Sequence, residues 1–438
     1  MASRRRPTTL KRYALMWLVL VAIHPSTAAA SEGHGPDPAI WLGLAAILLL
    51  AKLGAEAAVR LKQPPVLGEL LAGIVLGNLT LVGVDVFAAL AADSTIAFLA
   101  ELGVVLLLFE VGLESTLTEM RKVAPQSGLV AVIGVVAPML LGYGTSYLVN
   151  PEALTSVHLF IGATLCATSV GITARVLKDL NAMGRVETRV ILGAAVIDDV
   201  LGLIVLAIVS AIAAHGAMPD ALGLARIIGL AIGFLLGALL LGAYVMPGFF
   251  RTSAKLQTPG VLGAVSIGLC FLLAGISALA GLAAIVGAFA AGLILDEVHV
   301  QPFGKKSKHD LSELVAPIVA VVAPVFFVRT GMLVELGGIT VSALLLSLGL
   351  SVVAVIGKLV AGLGVKGSQG DRLTIGIGMV PRGEVGLIFA NVGVGIVVAG
   401  VPLIDPGTYM AVVLMVMVTT VVTPPWLAHR LGKVQATS

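Results

Sequence analysis

The chain has 438 residues, of which 58% are hydrophobic and only 12% are charged, and its mean hydropathy is +1.08. These values exclude a water-soluble globular protein and predict a membrane protein with room for about a dozen helices of ~20 residues. The formal net charge of +3 does not indicate a nucleic-acid partner, because the basic residues lie in short segments between apolar runs.

The first thirty residues have the pattern of a secretory signal peptide. Several arginines near the N-terminus precede an apolar run over residues 13–23, and an alanine-rich stretch ends at Ala30. The apolar run is too short to cross a bilayer, which favours a cleaved segment over an extra uncleaved helix. We therefore predict a signal peptide over residues 1–30 and a membrane domain over residues 31–438, in a bacterial inner membrane.

Thirteen apolar segments follow, which predicts an all-α polytopic membrane protein of about 13 transmembrane helices. Basic residues are concentrated in alternate connections, which favours an N-terminus outside the cell and a C-terminus in the cytoplasm. The predicted spans cover residues 38–60, 64–83, 95–113, 126–148, 156–177, 186–213, 220–248, 260–280, 281–296, 311–334, 340–364, 371–398 and 406–428.

Two stretches of the first half recur in the second half at one fixed spacing. The glycine-rich run over 68–77 resembles 287–296, and the pair at 112–113 resembles 331–332. Chance similarity between apolar helices is the alternative for either match alone. Because an odd number of crossings separates the matched segments, the halves must run in opposite directions. The prediction is six-helix inverted repeats with an ion site between them, over residues 38–213 and 260–430, joined by a linker helix over 220–248.

Asp198 and Asp199 lie near the middle of the otherwise apolar sixth span. An ionised carboxylate at the bilayer centre costs ~2.5 to 3.5 kcal/mol on insertion scales, so these two side chains need a cavity, a cation or a basic partner. Adjacent helical residues project about 100° apart, and the two carboxylates can therefore have different roles. A proton and a monovalent metal cation can compete for the same oxygens, which is the basis of antiport.

Two spans are predicted to be broken at corresponding places in the halves. The first break contains Thr168 and Ser169, and the second contains Pro381, Arg382 and Glu384. Free carbonyls and hydroxyls at such breaks are hard oxygen ligands that suit sodium or lithium. A simple packing kink is the alternative, but Arg382 and Glu384 make it less attractive because both charges need partners.

Further charged residues that lie within spans or nearly so, and that need partners there, are Lys358, Glu69, Glu110 and Arg329. Lys358, in span eleven, needs an anionic partner unless it reaches the cytoplasmic surface. Glu110 occupies the repeat position of Arg329, but inverted symmetry places them toward opposite faces, which argues against direct contact.

These residues together resemble bacterial sodium/proton antiporters of the cation:proton antiporter superfamily, in the branch with two consecutive aspartates. The resemblance covers residues 38–430. It implies a homodimer in which a core domain moves against a dimerisation domain in an elevator-like step. It also implies that Asp199 carries the cation and the proton, that Asp198 pairs with Lys358, and that the breaks surround the site. Exchange would then be electrogenic, and no cofactor is implied beyond the transported Na⁺ and H⁺.

Other functions remain open at this point. A potassium/proton antiporter could use the same oxygens for a larger ion. An intramembrane aspartyl protease would need aspartates on different helices, whereas these are consecutive on one helix. A passive channel does not require a site that holds protons at the repeat midplane. The sequence therefore favours a transporter over an enzyme.

Overall fold

The computed structural model describes residues 37–114, 117–215, 221–253, 255–256, 258–295, 307–334, 340–365, 370–398 and 401–437. The proposed signal peptide, residues 1–30, lies outside this part of the chain. Within it, nine helices are long and apolar enough to cross a membrane. The helices are α1 Pro38–Arg60, α2 Pro65–Gly77, α3 Val86–Ala92, α4 Ser94–Leu113, α5 Leu117–Val149, α6 Thr155–Thr164, α7 Val170–Asp179, α8 Val186–His215, α9 Ala221–Leu240, α10 Met246–Ser253, α11 Val261–Leu279, α12 Ala284–Ile294, α13 Ser307–Met332, α14 Val341–Ala361, α15 Arg372–Gly378, α16 Glu384–Gly395 and α17 Pro406–Thr437.

Local sequence signals explain where several of these helices begin. Asp37 accepts a hydrogen bond from the Ala39 amide immediately before α1, whose first residue is Pro38. Asp93 caps α4 by accepting from the amides of Thr95 and Ile96. These side chains satisfy amides that have no partner inside the first helical turn.

Each of the thirteen predicted spans contains helix, and the number of crossings stays a prediction. Spans five and twelve are each divided in two, as α6 with α7 and as α15 with α16. The linker helix continues from α9 through a π-helical turn, Leu241–Val245, into α10. Two features were not predicted: the short helix α3, and a two-stranded antiparallel ladder of β1 Val397–Val398 and β2 Val401–Pro402, which qualifies the all-α assignment.

The helices pack as two groups, which we call the first and second bundles. The first bundle consists of α1, α2, α4, α11, α12 and α13. The second bundle consists of α5, α6 with α7, α8, α14, α15 with α16, and α17. Each bundle therefore takes three predicted spans from each half of the chain.

Reciprocal glycine contacts bring the two halves together inside the first bundle. A methyl group at Gly73 of α2 would lie 2.1 Å from the carbonyl oxygen of Val328 in α13. A methyl group at Gly292 of α12 would lie 2.3 Å from the carbonyl oxygen of Phe109 in α4. The second contact joins the repeat-equivalent residues of the first, as expected for two inverted copies of one helix arrangement.

Candidate functional site

Helix α8 is uninterrupted and carries Asp198 and Asp199 near its centre. Asp198 is buried within the second bundle, whereas Asp199 is only partly buried. Because neighbouring residues on a helix point in different directions, the two carboxylates have different surroundings.

Asp198 forms an ion pair with Lys358 of α14. The Nζ atom of Lys358 lies 3.2 Å from Oδ1 and 3.5 Å from Oδ2 of Asp198. The side chains are 0% and 1% exposed, respectively. Helix α14 packs closely on α5 beside this pair, because a methyl group at Gly357 would lie 2.9 Å from the Cα atom of Pro138. Lys358 therefore does not reach the membrane surface.

Asp199 lines a small apolar cavity between the two bundles. Leu108 of α4 and Phe289 of α12 approach from the first bundle. Val170 of α7 lines the same cavity from the second bundle, directly after the first helix break. Asp199 thus lies beside the break and faces the bundle to which it does not belong.

The two broken helices meet at their breaks, between residues 164 and 170 and between residues 378 and 384. The Ser169 amide donates a hydrogen bond to the Pro381 carbonyl at 2.8 Å, and the Thr173 hydroxyl donates to the Gly378 carbonyl at 2.7 Å. The Thr168 hydroxyl lies 3.5 Å from the Met379 carbonyl oxygen. Backbone groups released by one break are therefore partly satisfied by the other break.

Arg382 supplies a buried positive charge at the same place. Its guanidinium donates to the Ala167 carbonyl, and its own carbonyl accepts from the Thr420 hydroxyl of α17. A methyl group at Gly383 would lie 2.7 Å from the Ser169 hydroxyl oxygen, so the absence of a side chain at Gly383 permits this close approach. Glu384 is the first residue of α16, and its side chain lies outside the described part of the structure.

Glu110 and Arg329 have partners that the sequence did not indicate. Glu110 pairs with Lys178 of α7 at 2.5 Å. Arg329 instead donates from Nε to the carbonyl oxygen of Ala91, at the end of α3, at 3.0 Å. Arg175 and Lys178, two further charged residues of this region, both lie within α7.

Residues 45–431 match the family model described as "Sodium/hydrogen exchanger, transmembrane". The chain belongs to the sodium/hydrogen exchanger family. It is therefore a multi-pass membrane protein of a transporter family, and the sequence-based assignment to the sodium/proton antiporters is confirmed.

Relatives and solved structures of exchangers agree with this membership. The chain is 38% identical over 424 residues to the high-affinity Na(+)/H(+) antiporter NhaS3 of Synechocystis sp., covering 89% of each protein. It is 35% identical over 394 residues to the Na(+)/H(+)-K(+) antiporter GerN of Bacillus cereus, covering 89% of this chain and 95% of GerN. The fold matches the sodium proton antiporter MjNhaP1 of Methanocaldococcus jannaschii with a TM-score of 0.64 at 19% identity, covering 90% of this chain and 98% of that chain.

Proposed function

We propose that this exchanger transports sodium or lithium ions in exchange for protons through competition at the Asp198–Asp199 pair. The strongest support is that the two carboxylates have different surroundings. Asp198 is held by Lys358, whereas Asp199 faces a cavity between the bundles. Asp199 is thus the carboxylate that can bind and release cargo, and Asp198 with Lys358 supplies the charge balance beside it.

The hydroxyl groups of the first helix break are our candidates for further oxygen ligands of a hard cation. Thr168 and Ser169 lie in the break that ends at Val170, which lines the cavity with Asp199. Arg382 and the first turn of α16, beginning at Glu384, come from the second break. We assign Thr168 and Ser169 to the cation site and Arg382 and Glu384 to its support.

Exchange requires that the site open to one side of the membrane at a time. Asp198, Asp199 and Lys358 all belong to the second bundle, while the other wall of the Asp199 cavity belongs to the first. A movement of the second bundle along the first would carry the site without dismantling the Asp198–Lys358 pair. We therefore assign the second bundle to the moving core and the first bundle to dimerisation, in a homodimer with elevator-like transport.

The stoichiometry proposed is two protons per sodium ion, which makes the exchange electrogenic. Asp199 would release one proton when the cation binds. Lys358 would release the second, because a cation close to Asp198 competes with the ammonium group for the same carboxylate. The protein is assigned to a bacterial inner membrane with its C-terminus in the cytoplasm, as the distribution of basic residues favours.

Potassium/proton exchange is the second candidate. GerN, a relative at 35% identity, is named a Na(+)/H(+)-K(+) antiporter. The proposed ligands are carboxylate and hydroxyl oxygens, which bind either ion when the cavity has the appropriate size.

A proteoliposome assay tests the proposed function. Purified protein is reconstituted into acid-loaded vesicles that contain a pH-sensitive dye, and NaCl, LiCl, KCl or choline chloride is added outside. Sodium and lithium should drive proton efflux and choline should not. A response to potassium alone would replace the sodium proposal by potassium/proton exchange, and no response to any cation would reject antiport.

A further inference from the structure

A cluster of six charged side chains joins the two bundles away from the Asp198–Asp199 site. We call it the interface cluster. The first bundle contributes Glu69 at the start of α2, Glu110 near the end of α4 and Glu114 directly after α4. Helix α7 of the second bundle contributes the other members, which are Arg175, Lys178 and Asp179.

Lys178 makes two ion pairs across the boundary between the bundles. Its Nζ atom lies 2.5 Å from Oε1 of Glu110 and 3.1 Å from Oε1 of Glu114. The Glu110 side chain is 2% exposed and the Lys178 side chain is 24% exposed, so the carboxylate of this pair is removed from water. Removing one partner of a buried pair leaves an uncompensated charge and costs far more than breaking a surface pair.

Arg175 makes a second set of contacts one helical turn earlier. Its Nη2 atom lies 3.7 Å from Oε1 of Glu69, which is completely buried, and its Nε atom lies 3.0 Å from Oδ1 of Asp179. The guanidinium carbon lies 5.9 Å from the centre of the Phe327 ring in α13, within range of a cation–π interaction. Arg175 therefore contacts two helices of the first bundle.

The interface cluster lies at the face where the chain ends. Asp371, at the start of α15, contacts Glu187 at the start of α8 and Arg430 near the end of α17. Helix α7 ends at Asp179, shortly before α8 begins, so the cluster shares this face with the C-terminal end of α17. The burial of Glu69 and Glu110 indicates that the bundles are closed against each other here.

We propose that the interface cluster is a latch that holds the bundles closed at the C-terminal face and thereby sets the equilibrium between the two access states. Helix α7 begins directly after the break at Ser169, so a displacement of the site would separate Arg175 and Lys178 from the glutamates of the first bundle. This inference rests on the proposed exchange function only where it predicts a change in the apparent KM for sodium. The structural consequence, tighter closure of α4 against α7, is independent of the cargo.

The test compares Lys178→Gln, Glu110→Gln and the double variant with the wild type. The double variant removes both charges and keeps similar shapes, so it avoids a lone buried charge if a single variant folds poorly. Two matched controls remove ion pairs that do not cross the boundary. They are Asp371→Asn within the second bundle, and Arg60→Gln, whose partner Glu56 lies on the same helix.

The apparent KM for sodium is measured from each face in oriented proteoliposomes, with a C-terminal tag marking the face that carries the cluster. A ligand binds in proportion to the population of the state that admits it. Loss of the latch should lower KM several-fold at the C-terminal face and raise it at the opposite face, with neither shift in the controls. Equal shifts at both faces, or none, would overturn the proposal.

Hydrogen–deuterium exchange provides a readout that does not depend on transport. Amide exchange in α4 and α7 should be faster in the double variant than in the wild type, with α14 unchanged. Unchanged exchange in α4 and α7 would overturn the latch even if sodium-driven proton flux is normal. If the wild-type protein shows no sodium-driven proton flux, the proposed function is rejected. The hydrogen–deuterium exchange result alone then decides whether the interface cluster acts as a latch.

Discussion

Lys358 and Asp198 meet inside the second bundle, with Nζ 3.2 Å from Oδ1, although 160 positions separate them in the chain. Because neither side chain reaches solvent, removal of the lysine leaves a buried carboxylate without its partner. We expect Lys358→Ala to lower the free energy of unfolding by ~3 to 5 kcal/mol. Thermal unfolding in detergent, followed by tryptophan fluorescence or by loss of the monodisperse peak, measures this effect.

The double variant Asp198→Asn with Lys358→Gln should recover much of that loss, because both charges are removed together. Ile356→Ala is a matched control on the same helix, since Ile356 is exposed on the protein surface. A Lys358→Ala protein as stable as the Ile356→Ala control would show that the ion pair does not contribute to the stability of the fold.

In the proposed mechanism, electrogenic exchange depends on a second role for Lys358, as a proton donor. Lys358→Gln cannot release a proton and should convert electrogenic exchange into electroneutral exchange, provided that the variant folds. The rate of sodium-driven proton flux is compared at imposed membrane potentials, set with valinomycin and potassium gradients. If the variant retains the wild-type voltage dependence, Lys358 is a structural residue only.

Asp199 should be indispensable for exchange and dispensable for folding. An amide at this position cannot trade a proton for a cation, so Asp199→Asn should abolish sodium-driven proton flux. Expression level and thermal stability should stay near those of the wild type, because the side chain lies beside a cavity. Flux at the wild-type rate in the purified variant would remove Asp199 from the carrier role.

Much of the fold follows from the sequence because a bilayer permits few backbone arrangements. Long apolar runs must be helices, and Pro381 with Gly383 marks a break that requires partners at that depth. The short helix α3 and the ladder near residue 400 were missed, because short elements at helix ends carry no such constraint. The aspartate pair is also recognisable from the sequence, because charged side chains are costly in an apolar segment.

The interface cluster could not be predicted. Arg175 and Lys178 follow the first break by a few residues and look like ordinary basic residues near a cytoplasmic loop. Their partners Glu69 and Glu110 lie on two other helices, and the pairing depends on how the bundles meet. Sequence could show only that Glu69 and Glu110 needed partners.

The Asp371–Arg430 pair should stabilise the second bundle in a pH-dependent way. Hydrogen bonding to Arg430, opposed by partial burial and aided by Thr374, lowers the pKa of Asp371 to about 2 from an ordinary value of 3.8. A lowered pKa in the folded state means that the stabilisation is complete above about pH 4 and is lost as pH falls to about 2.

Arg430→Gln should therefore reduce stability by roughly 1 to 2 kcal/mol at neutral pH, with solvent screening taken into account. The difference from the wild type should shrink between about pH 4 and pH 2, as measured by thermal unfolding. Arg372→Gln is the control, because Arg372 donates its hydrogen bond to the backbone carbonyl of Val365, which does not titrate. An Arg430→Gln deficit that is independent of pH would mean that packing of the arginine stem is responsible.

The reciprocal glycine contacts should tolerate no side chain. Gly73→Ala and Gly292→Ala would each place a methyl group against a carbonyl oxygen of the neighbouring helix and should destabilise the protein by ~1 to 3 kcal/mol or more. Gly268→Ala in α11 is the control, because open space surrounds that position. Since alanine favours helix over glycine, the control should be neutral or stabilising by up to ~1 kcal/mol. Thermal stabilities that do not differ among the three variants would contradict the observed approach of the helices.

Those contacts also bear on how the two halves are joined in one chain. Helix α2 packs on α13 and α12 packs on α4, so each half of the sequence fills the groove of the other half. Two copies of a half-length chain, inserted into the membrane in opposite orientations, would make the same two contacts between separate molecules. The bundle therefore has the arrangement of an antiparallel dimer whose two subunits are joined in one chain, and in the predicted topology the linker α9–α10 is the crossing that makes this join possible.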